Sequence, residues 1–160
     1  MKNGAAIRLN EMNGIRFSTI VNTEKLDELK AVEGNTVELG TLIAPADLVT
    51  DELTHEMAAG NFVDIPYKSK EFFEENTFVG SIVAIKTENY GRAFIGRGYV
   101  KVTNGEEVTY YYATQNDNIR SVKTIATALI NDTSESSQTL YQEHKDIVDV
   151  WASAADWTAD

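Results

Sequence analysis

The chemistry available to this chain is concentrated in its arginines and tyrosines. Unlike most of its lysines, its arginines lie in or beside predicted strands and helix starts: Arg8, Arg16, Arg92, Arg97 and Arg120. A guanidinium is planar and binds a carboxylate or another anion through two parallel hydrogen bonds. This placement therefore predicts either internal ion pairs or a bound anion.

A polar aromatic platform is predicted around a strand that spans residues 91–103. Side chains alternate between the two faces of a strand, so Arg97 and Tyr99 share one face. Four residues from other strands complete the platform if they lie on that face: Arg8, Arg16, Thr109 and Tyr111. Aromatic rings beside planar hydrogen-bonding groups suit sugars, whose C–H faces stack while their hydroxyl groups bond. In the alternative, two C-terminal helices cover this face and the arginines form internal salt bridges.

Sequence motifs of several enzyme classes are absent, including the nucleophile elbow, the HExxH zinc motif and the phosphate-binding loop. Gly96 and Gly98 lie inside a predicted strand, where glycine more often marks a bulge or close packing by an aromatic ring. The couplets Glu74-Glu75 and Glu106-Glu107 point to opposite faces of a strand, so neither can flank one glycosidic bond. A glycoside hydrolase that uses distant carboxylates stays a less favoured alternative, and we expect no catalytic residues.

We expect no metal site and no cofactor. His55 and His144 are the only histidines, and neither has a second histidine at ligand spacing, so packed or surface roles are expected for both. Residues 115–118 carry side-chain oxygens that suit calcium, but an ordinary turn and helix cap is the preferred interpretation.

Length and charge narrow the class of protein. A chain of 160 residues is sufficient for one domain with one core. The net charge of −11 repels nucleic-acid phosphates and anionic lipids, so neither partner is expected. The chain has no cysteine and no apolar segment long enough to span a membrane. We predict one domain over residues 1–155, followed by a frayed end or linker start at 156–160.

Alternating apolar residues and turn signals predict seven strands, at residues 5–9, 14–21, 36–44, 61–67, 77–86, 91–103 and 106–114. The last three are expected to form a meander, with a type I′ turn at Asn104-Gly105. A helix is expected to begin at Asn22 or Thr23 and to stop at Gly34.

Helical periodicity appears twice more in the sequence. Residues 121–130 carry a clear amphipathic stripe, and a second helix of four or five turns is expected from Leu140 to Ala155, with a cap at Ser136 or Ser137. A short helix over residues 50–59 is also predicted. The fold class is therefore α+β: an antiparallel sheet or sandwich of six or seven strands with two C-terminal helices packed on it.

Four segments resemble a module of large secreted or cell-surface proteins of gut Firmicutes: AIRLNEMNGIRFSTIV, ELGTLIAPADLV, NYGRAFIGRGYVKV with YYYA, and NIRSVKTIATALIND. In those proteins the module lies beside immunoglobulin-like, dockerin and carbohydrate-active domains. The resemblance covers most of residues 5–132, and its most specific parts are residues 14–17, 40–43 and 97–99. It implies an extracellular or cell-surface setting, as an excised part of a longer chain, and it provides no catalytic residues.

These observations predict a non-catalytic accessory module that binds a glycan or polysaccharide. The candidate ligand-binding residues are Arg16, Arg97, Tyr99 and Tyr111. A structural spacer or a protein-docking module is the alternative, and it predicts that the arginines are paired inside while an apolar patch is exposed elsewhere. The sequence does not determine the oligomeric state.

Overall fold

The computed structural model describes residues 1, 6–8, 13–114 and 118–158, and within these it confirms the α+β class. These residues form seven strands of three or more residues, one two-residue strand and four α-helices, three of which follow the last strand. The strands are β1 (Ala6–Arg8), β2 (Gly14–Ile20), β3 (Asn35–Pro45), β4 (Val63–Tyr67), β5 (Thr77–Val83), β6 (Phe94–Asn104), β7 (Glu107–Tyr112) and β8 (Ile119–Arg120). The helices are α1 (Thr23–Ala31), α2 (Val122–Asn131), α3 (Glu135–Glu143) and α4 (Lys145–Ala152).

Two antiparallel sheets pack against each other. The first has the strand order β1-β2-β5, and the second has the order β4-β3-β6-β7, with β8 paired to β6 beyond the end of β7. Glycines let the layers approach closely, because a Cβ atom on Gly96 would overlap the Phe17 ring and one on Gly98 would overlap Thr19. The predicted packing of an aromatic ring is therefore found at Gly96, whereas at Gly98 the neighbour is Thr19.

Both faces of the second sheet are buried in their central part. On one face, a core shared with the first sheet and with helices α2 and α4 contains Phe17, Ile43, Phe94, Val122, Val148 and Trp151. On the other face, residues 49–62 form an irregular loop that covers Leu42, Ala44, Ile95 and Tyr99 with Leu53. The C-terminal helices thus pack on the sheets as predicted, and a loop closes the face that carries Arg97 and Tyr99.

The predicted meander is wrong. The whole length of β5 pairs with β2, from Gly14 opposite Val83 to Ile20 opposite Thr77, whereas the neighbours of β6 are β3, β7 and β8. Residues 84–93 cross from one sheet to the other. Asn13 holds the start of this crossing, because its side chain accepts a hydrogen bond from the Ile85 N–H (2.7 Å) and donates one to the Ile85 carbonyl (3.0 Å).

The predicted helix over residues 50–59 is also wrong. The backbone groups of this loop bond to the sheet below it in place of the i→i−4 bonds of a helix. The Leu53 carbonyl accepts a hydrogen bond from Arg97, and the His55 N–H donates one to the Tyr112 hydroxyl. Leu53 itself is fully buried.

The β6–β7 hairpin is confirmed, but its turn lies one residue further along the chain than predicted. Asn104 and Glu107 are paired, so Gly105 and Glu106 form the turn. Of the turn residues, only Gly105 has a positive φ, of 62°. A positive φ at the first central position alone is the pattern of a type II′ turn, in contrast to the predicted type I′ turn.

The helix predictions are confirmed for α1 and α2 and need correction for the C-terminal segment. The Asn22 side chain caps α1, and Ser121 caps α2 in a reciprocal capping box with Thr124. The expected helix from Leu140 is interrupted at His144, whose φ of −120° and ψ of 21° lie outside the helical region. The segment therefore forms two helices. α4 carries buried residues into the core, whereas α3 carries none and begins at a Ser134 cap.

The last described residues contact the domain. Lys123 forms an ion pair with Asp156 (2.7 Å), and the Arg92 guanidinium lies over the Trp157 ring at 4.5 Å. Residues 156 and 157, within the segment predicted as a frayed end or linker start, are contacted by side chains of α2 and of the crossing segment.

Candidate functional site

The predicted platform residues do not form one surface. Arg97 and Tyr99 share a face of β6, and the loop of residues 49–62 leaves them only 9% and 5% exposed. Tyr111 pairs with Val100 and so lies on the opposite face of the second sheet. Arg16 lies on β2 of the first sheet, with its guanidinium 4.5 Å from the centre of the Phe73 ring.

Arg97 binds the protein itself. Its Nε atom donates to the Ala113 carbonyl (2.8 Å), one terminal nitrogen donates to the Leu53 carbonyl (3.3 Å), and the guanidinium lies 4.9 Å from the Tyr112 ring centre. The carboxylate of Glu52 lies 4.0 Å away, at the limit of an ion pair. Arg97 therefore fastens the covering loop to β6 and to the end of β7.

The bidentate pairing predicted for the arginines occurs at Arg92. Its Nε and terminal nitrogen donate to the two carboxylate oxygens of Asp47 at 2.9 and 2.8 Å. The hydrogen bond with Arg92 lowers the pKa of Asp47, and the same bond raises the pKa of Arg92. This pair joins the crossing segment to the end of β3.

A polar aromatic cluster that the sequence analysis did not predict lies under the loop. It consists of His55, Asp64, Tyr99, Tyr110 and Tyr112. His55 Nδ1 lies 2.7 Å from the Tyr112 hydroxyl, and its Nε2 lies 2.9 Å from Asp64. The Tyr99 hydroxyl donates to the other oxygen of Asp64 at 2.5 Å, and the Tyr110 ring stacks on His55 at 3.9 Å. His55 is thus a packed residue, as expected.

The electrostatics of this cluster favour structure over chemistry. A series of hydrogen bonds from an aspartate through a histidine to a hydroxyl group resembles the arrangement that activates a nucleophile. Burial raises the pKa of Tyr99, and the Asp64 carboxylate raises it further. Burial also raises the pKa of Tyr112, against a hydrogen bond from the His55 backbone that lowers it. Both hydroxyl groups therefore keep their protons at neutral pH. The Tyr99 hydroxyl donates to Asp64, and the Tyr112 hydroxyl accepts the His55 N–H of the loop.

A groove of about 660 Å³ lies on the opposite face of the second sheet, between α1 and the β6–β7 hairpin. Its lining is mainly apolar, and it includes Ile20, Leu29, Val32, Gly98, Val100 and Tyr111. Tyr111 is 52% exposed, so its ring is available to a ligand. Of the four predicted site residues, Tyr111 is the one whose side chain is exposed in a pocket of ligand size.

Three polar side chains of the α1 region line the groove together with Tyr111: Asn22, Lys25 and Glu28. Asn22 uses its side-chain oxygen to cap α1, which leaves its amide nitrogen without a partner among the described residues. Among all the described residues, the Lys25 ammonium and the Glu28 carboxylate also have no ion-pair partner. The groove therefore offers hydrogen-bond donors and an acceptor beside an exposed aromatic ring.

Within the described residues, no group of three or more histidine, cysteine, aspartate or glutamate side chains is arranged to hold a metal ion. The loop considered for calcium lies mostly outside these residues, and Asn118 at its end is buried and donates to the Gly96 carbonyl. No helix in the described ranges is long and apolar enough to cross a membrane.

Comparisons of the chain with protein-family models, with curated proteins and with solved structures found no match in any of the three.

Proposed function

We propose that this domain is a non-catalytic binding module that holds a carbohydrate in the groove between α1 and the β6–β7 hairpin. The observation that carries the proposal is the exposed ring of Tyr111 in a groove that also contains unpaired polar groups of Asn22, Lys25 and Glu28. Sugar rings stack their C–H faces on aromatic rings, while their hydroxyl groups need donors and acceptors at the edge.

The groove supports binding better than hydrolysis. Glycoside hydrolysis uses two carboxylates that flank the scissile bond. Glu28 is the one carboxylate among the described residues that line the groove. The setting proposed for the module, on the bacterial cell surface or outside the cell and within a longer protein, rests on the segments at residues 14–17, 40–43 and 97–99 that resemble such modules.

The test is binding to a glycan array, followed by titration calorimetry with the glycans that bind. Replacing Tyr111 with alanine removes the stacking ring, which contributes about 0.5–1.5 kcal/mol beyond its buried area, so we expect roughly a tenfold or greater loss of affinity. Phe72→Ala is the matched control, because Phe72 is also an exposed aromatic residue and does not line this groove. Glycan binding that is equal in the two variants would contradict the proposal.

A protein-docking module is the second candidate, and the exposed apolar rim of the same groove favours it. Ile20 and Val32 are 57% and 52% exposed, and exposed apolar side chains grouped at a groove are typical of protein-interaction sites. If the array shows no binding, docking becomes the better explanation of the rim. The double variant Ile20→Ser and Val32→Ser separates the two functions, because it weakens docking of an apolar partner and leaves the Tyr111 ring in place.

A further inference from the structure

The outer edge of β7 presents backbone groups that have no strand partner among the described residues. The Ala113 N–H donates to the Gly98 carbonyl of β6 at 2.9 Å, so Ala113 and Gly98 are a hydrogen-bonded pair. Backbone groups alternate in direction along an antiparallel strand, which turns those of Val108, Tyr110 and Tyr112 away from β6. In the part of the chain that the structure describes, β7 ends its sheet and no further strand pairs with it.

This edge lacks the usual protection against strand pairing. The opposite edge of the same sheet, β4, is five residues long and contains Pro66, which cannot donate a hydrogen bond to a neighbour. The sequence of β7 is EVTYYY, with no proline, glycine or lysine. Val108 and Tyr111, on opposite faces of β7, are 46% and 52% exposed. An extended edge of this composition is a template for another strand.

We propose that β7 pairs with β7 of a second copy of this chain, antiparallel, about a two-fold axis through Tyr110. The proposal rests on the self-complementary sequence of the strand. In this register Tyr110 faces its own copy, Val108 faces Tyr112 of the second copy, and Thr109 faces Tyr111 of the second copy. Each copy thus contributes aromatic and β-branched partners to the other, which are the pairs that stabilise sheets.

The charges along the edge agree with this register. Glu107, the acidic residue of β7, faces the uncharged Ala113 of the second copy, so no like charges are directly opposed. The net charge of −11 on each copy repels the other copy at long range. Salt screens that repulsion, so the dimer becomes more stable as the salt concentration rises.

The pairing also changes the proposed binding surface. Residues directly opposite each other in an antiparallel pair point to the same side of the sheet, so the two copies place their Tyr111 grooves on one side. The second copy's Thr109 then lies beside Tyr111 and extends the floor of the groove. A polymeric ligand can bind both sites of the dimer at once. Its second binding event is then intramolecular, so its avidity increases with the effective concentration of the second site.

The first test is the mass of the ligand-free chain by light scattering and sedimentation equilibrium, over concentrations that reach the millimolar range. We expect a reversible dimer of twice the 17.7 kDa chain mass, and a shift toward dimer as salt is added. Val108→Lys places a charge on the proposed edge and is expected to produce a monomer. Val63→Lys is the matched control, because Val63 is 42% exposed on β4 at the other edge of the sheet.

A crosslink tests the register. The chain has no cysteine, and positions 109 and 111 face each other across the proposed interface as a non-hydrogen-bonded pair, about 4.5 Å apart between Cα atoms. Mixing Thr109→Cys chains with Tyr111→Cys chains under mild oxidation is expected to give a covalent heterodimer faster than either variant alone gives a homodimer.

Three results would overturn the proposal: a chain that stays monomeric at millimolar concentration, a dimer that survives Val108→Lys but not Val63→Lys, or equal crosslinking in the mixture and in the single variants. These measurements use no ligand. Loss of the dimer therefore leaves the carbohydrate proposal standing, and loss of glycan binding leaves the dimer standing.

Discussion

The Tyr99 hydroxyl is connected to the covering loop through one residue, Asp64 of β4. It donates to Asp64 at 2.5 Å, and Asp64 also contacts His55 of the loop. Hydrogen bonds to charged groups stabilise proteins by about 1.5–3 kcal/mol, and the partial exposure of Asp64 lowers that value. Tyr99 therefore stabilises the loop through Asp64, which lies on the edge strand β4 and contacts His55.

We expect Tyr99→Phe to lower the free energy of unfolding by about 1–2 kcal/mol, because a part-buried charge-assisted hydrogen bond is lost while the ring remains. Tyr111→Phe is the control: its hydroxyl makes no hydrogen bond among the described residues and its side chain is exposed, so a change within about 0.5 kcal/mol is expected. Urea unfolding of both variants gives the two values. Equal destabilisation would show that the Asp64 bond does not hold the loop.

At the scale of elements, residues close in sequence could be predicted well. The β6–β7 hairpin, the Asn22 cap and the amphipathic α2 depend on neighbouring residues, and all three are found. The face of the second sheet on which Tyr110 and Tyr112 lie could also be predicted from the sequence. A two-residue turn pairs odd-numbered residues of β6 with even-numbered residues of β7, which places these tyrosines beside Tyr99 and leaves Tyr111 on the other side.

The partners of distant elements could not be predicted in the same way. The expectation that consecutive strands pair led to the meander, and it fails because residues 84–93 change layers. The loop of residues 49–62 has no periodic signal, since its order comes from bonds that β6 and β7 supply, such as those of Arg97 and Tyr112. The candidate groove was equally inaccessible, because it is formed by α1 and a hairpin far along the chain.

Helix capping provides a test at this scale. Ser121 is buried and its hydroxyl accepts the Thr124 N–H at 3.0 Å, so Ser121→Ala removes a cap from a helix that packs in the core. We expect a loss of about 1 kcal/mol in the free energy of unfolding. Ser134→Ala is the control, because Ser134 caps α3, which has no buried residues. A larger loss from Ser134→Ala than from Ser121→Ala would contradict the assignment of α2 to the core.

At the scale of the whole molecule, alkaline pH should weaken the fold. The pKa values of Tyr99 and Tyr112 are raised in the folded protein, so above the ordinary value of 10.0 the unfolded chain loses protons that the folded chain retains. Stability is therefore complete below about pH 10 and falls as the pH rises through the folded values, by up to about 1.4 kcal/mol per pH unit for each tyrosine.

Urea unfolding at about pH 8 and about pH 11 measures this loss. The double variant Tyr99→Phe and Tyr112→Phe should lose less stability between the two pH values than the unchanged chain does. An identical loss in both proteins would place the alkaline sensitivity elsewhere in the molecule.

The pairing of β2 with β5 also has a consequence for folding during synthesis on the ribosome. Phe17 emerges early, but the strand beside it and Gly96, on which its ring lies, come from residues 77–83 and 94–104. The Asn13 side chain likewise waits for Ile85, which is 72 residues away. Contacts of such long range make folding slow. Strand β2 therefore remains without its partner strand during synthesis until residues 77–83 have been translated.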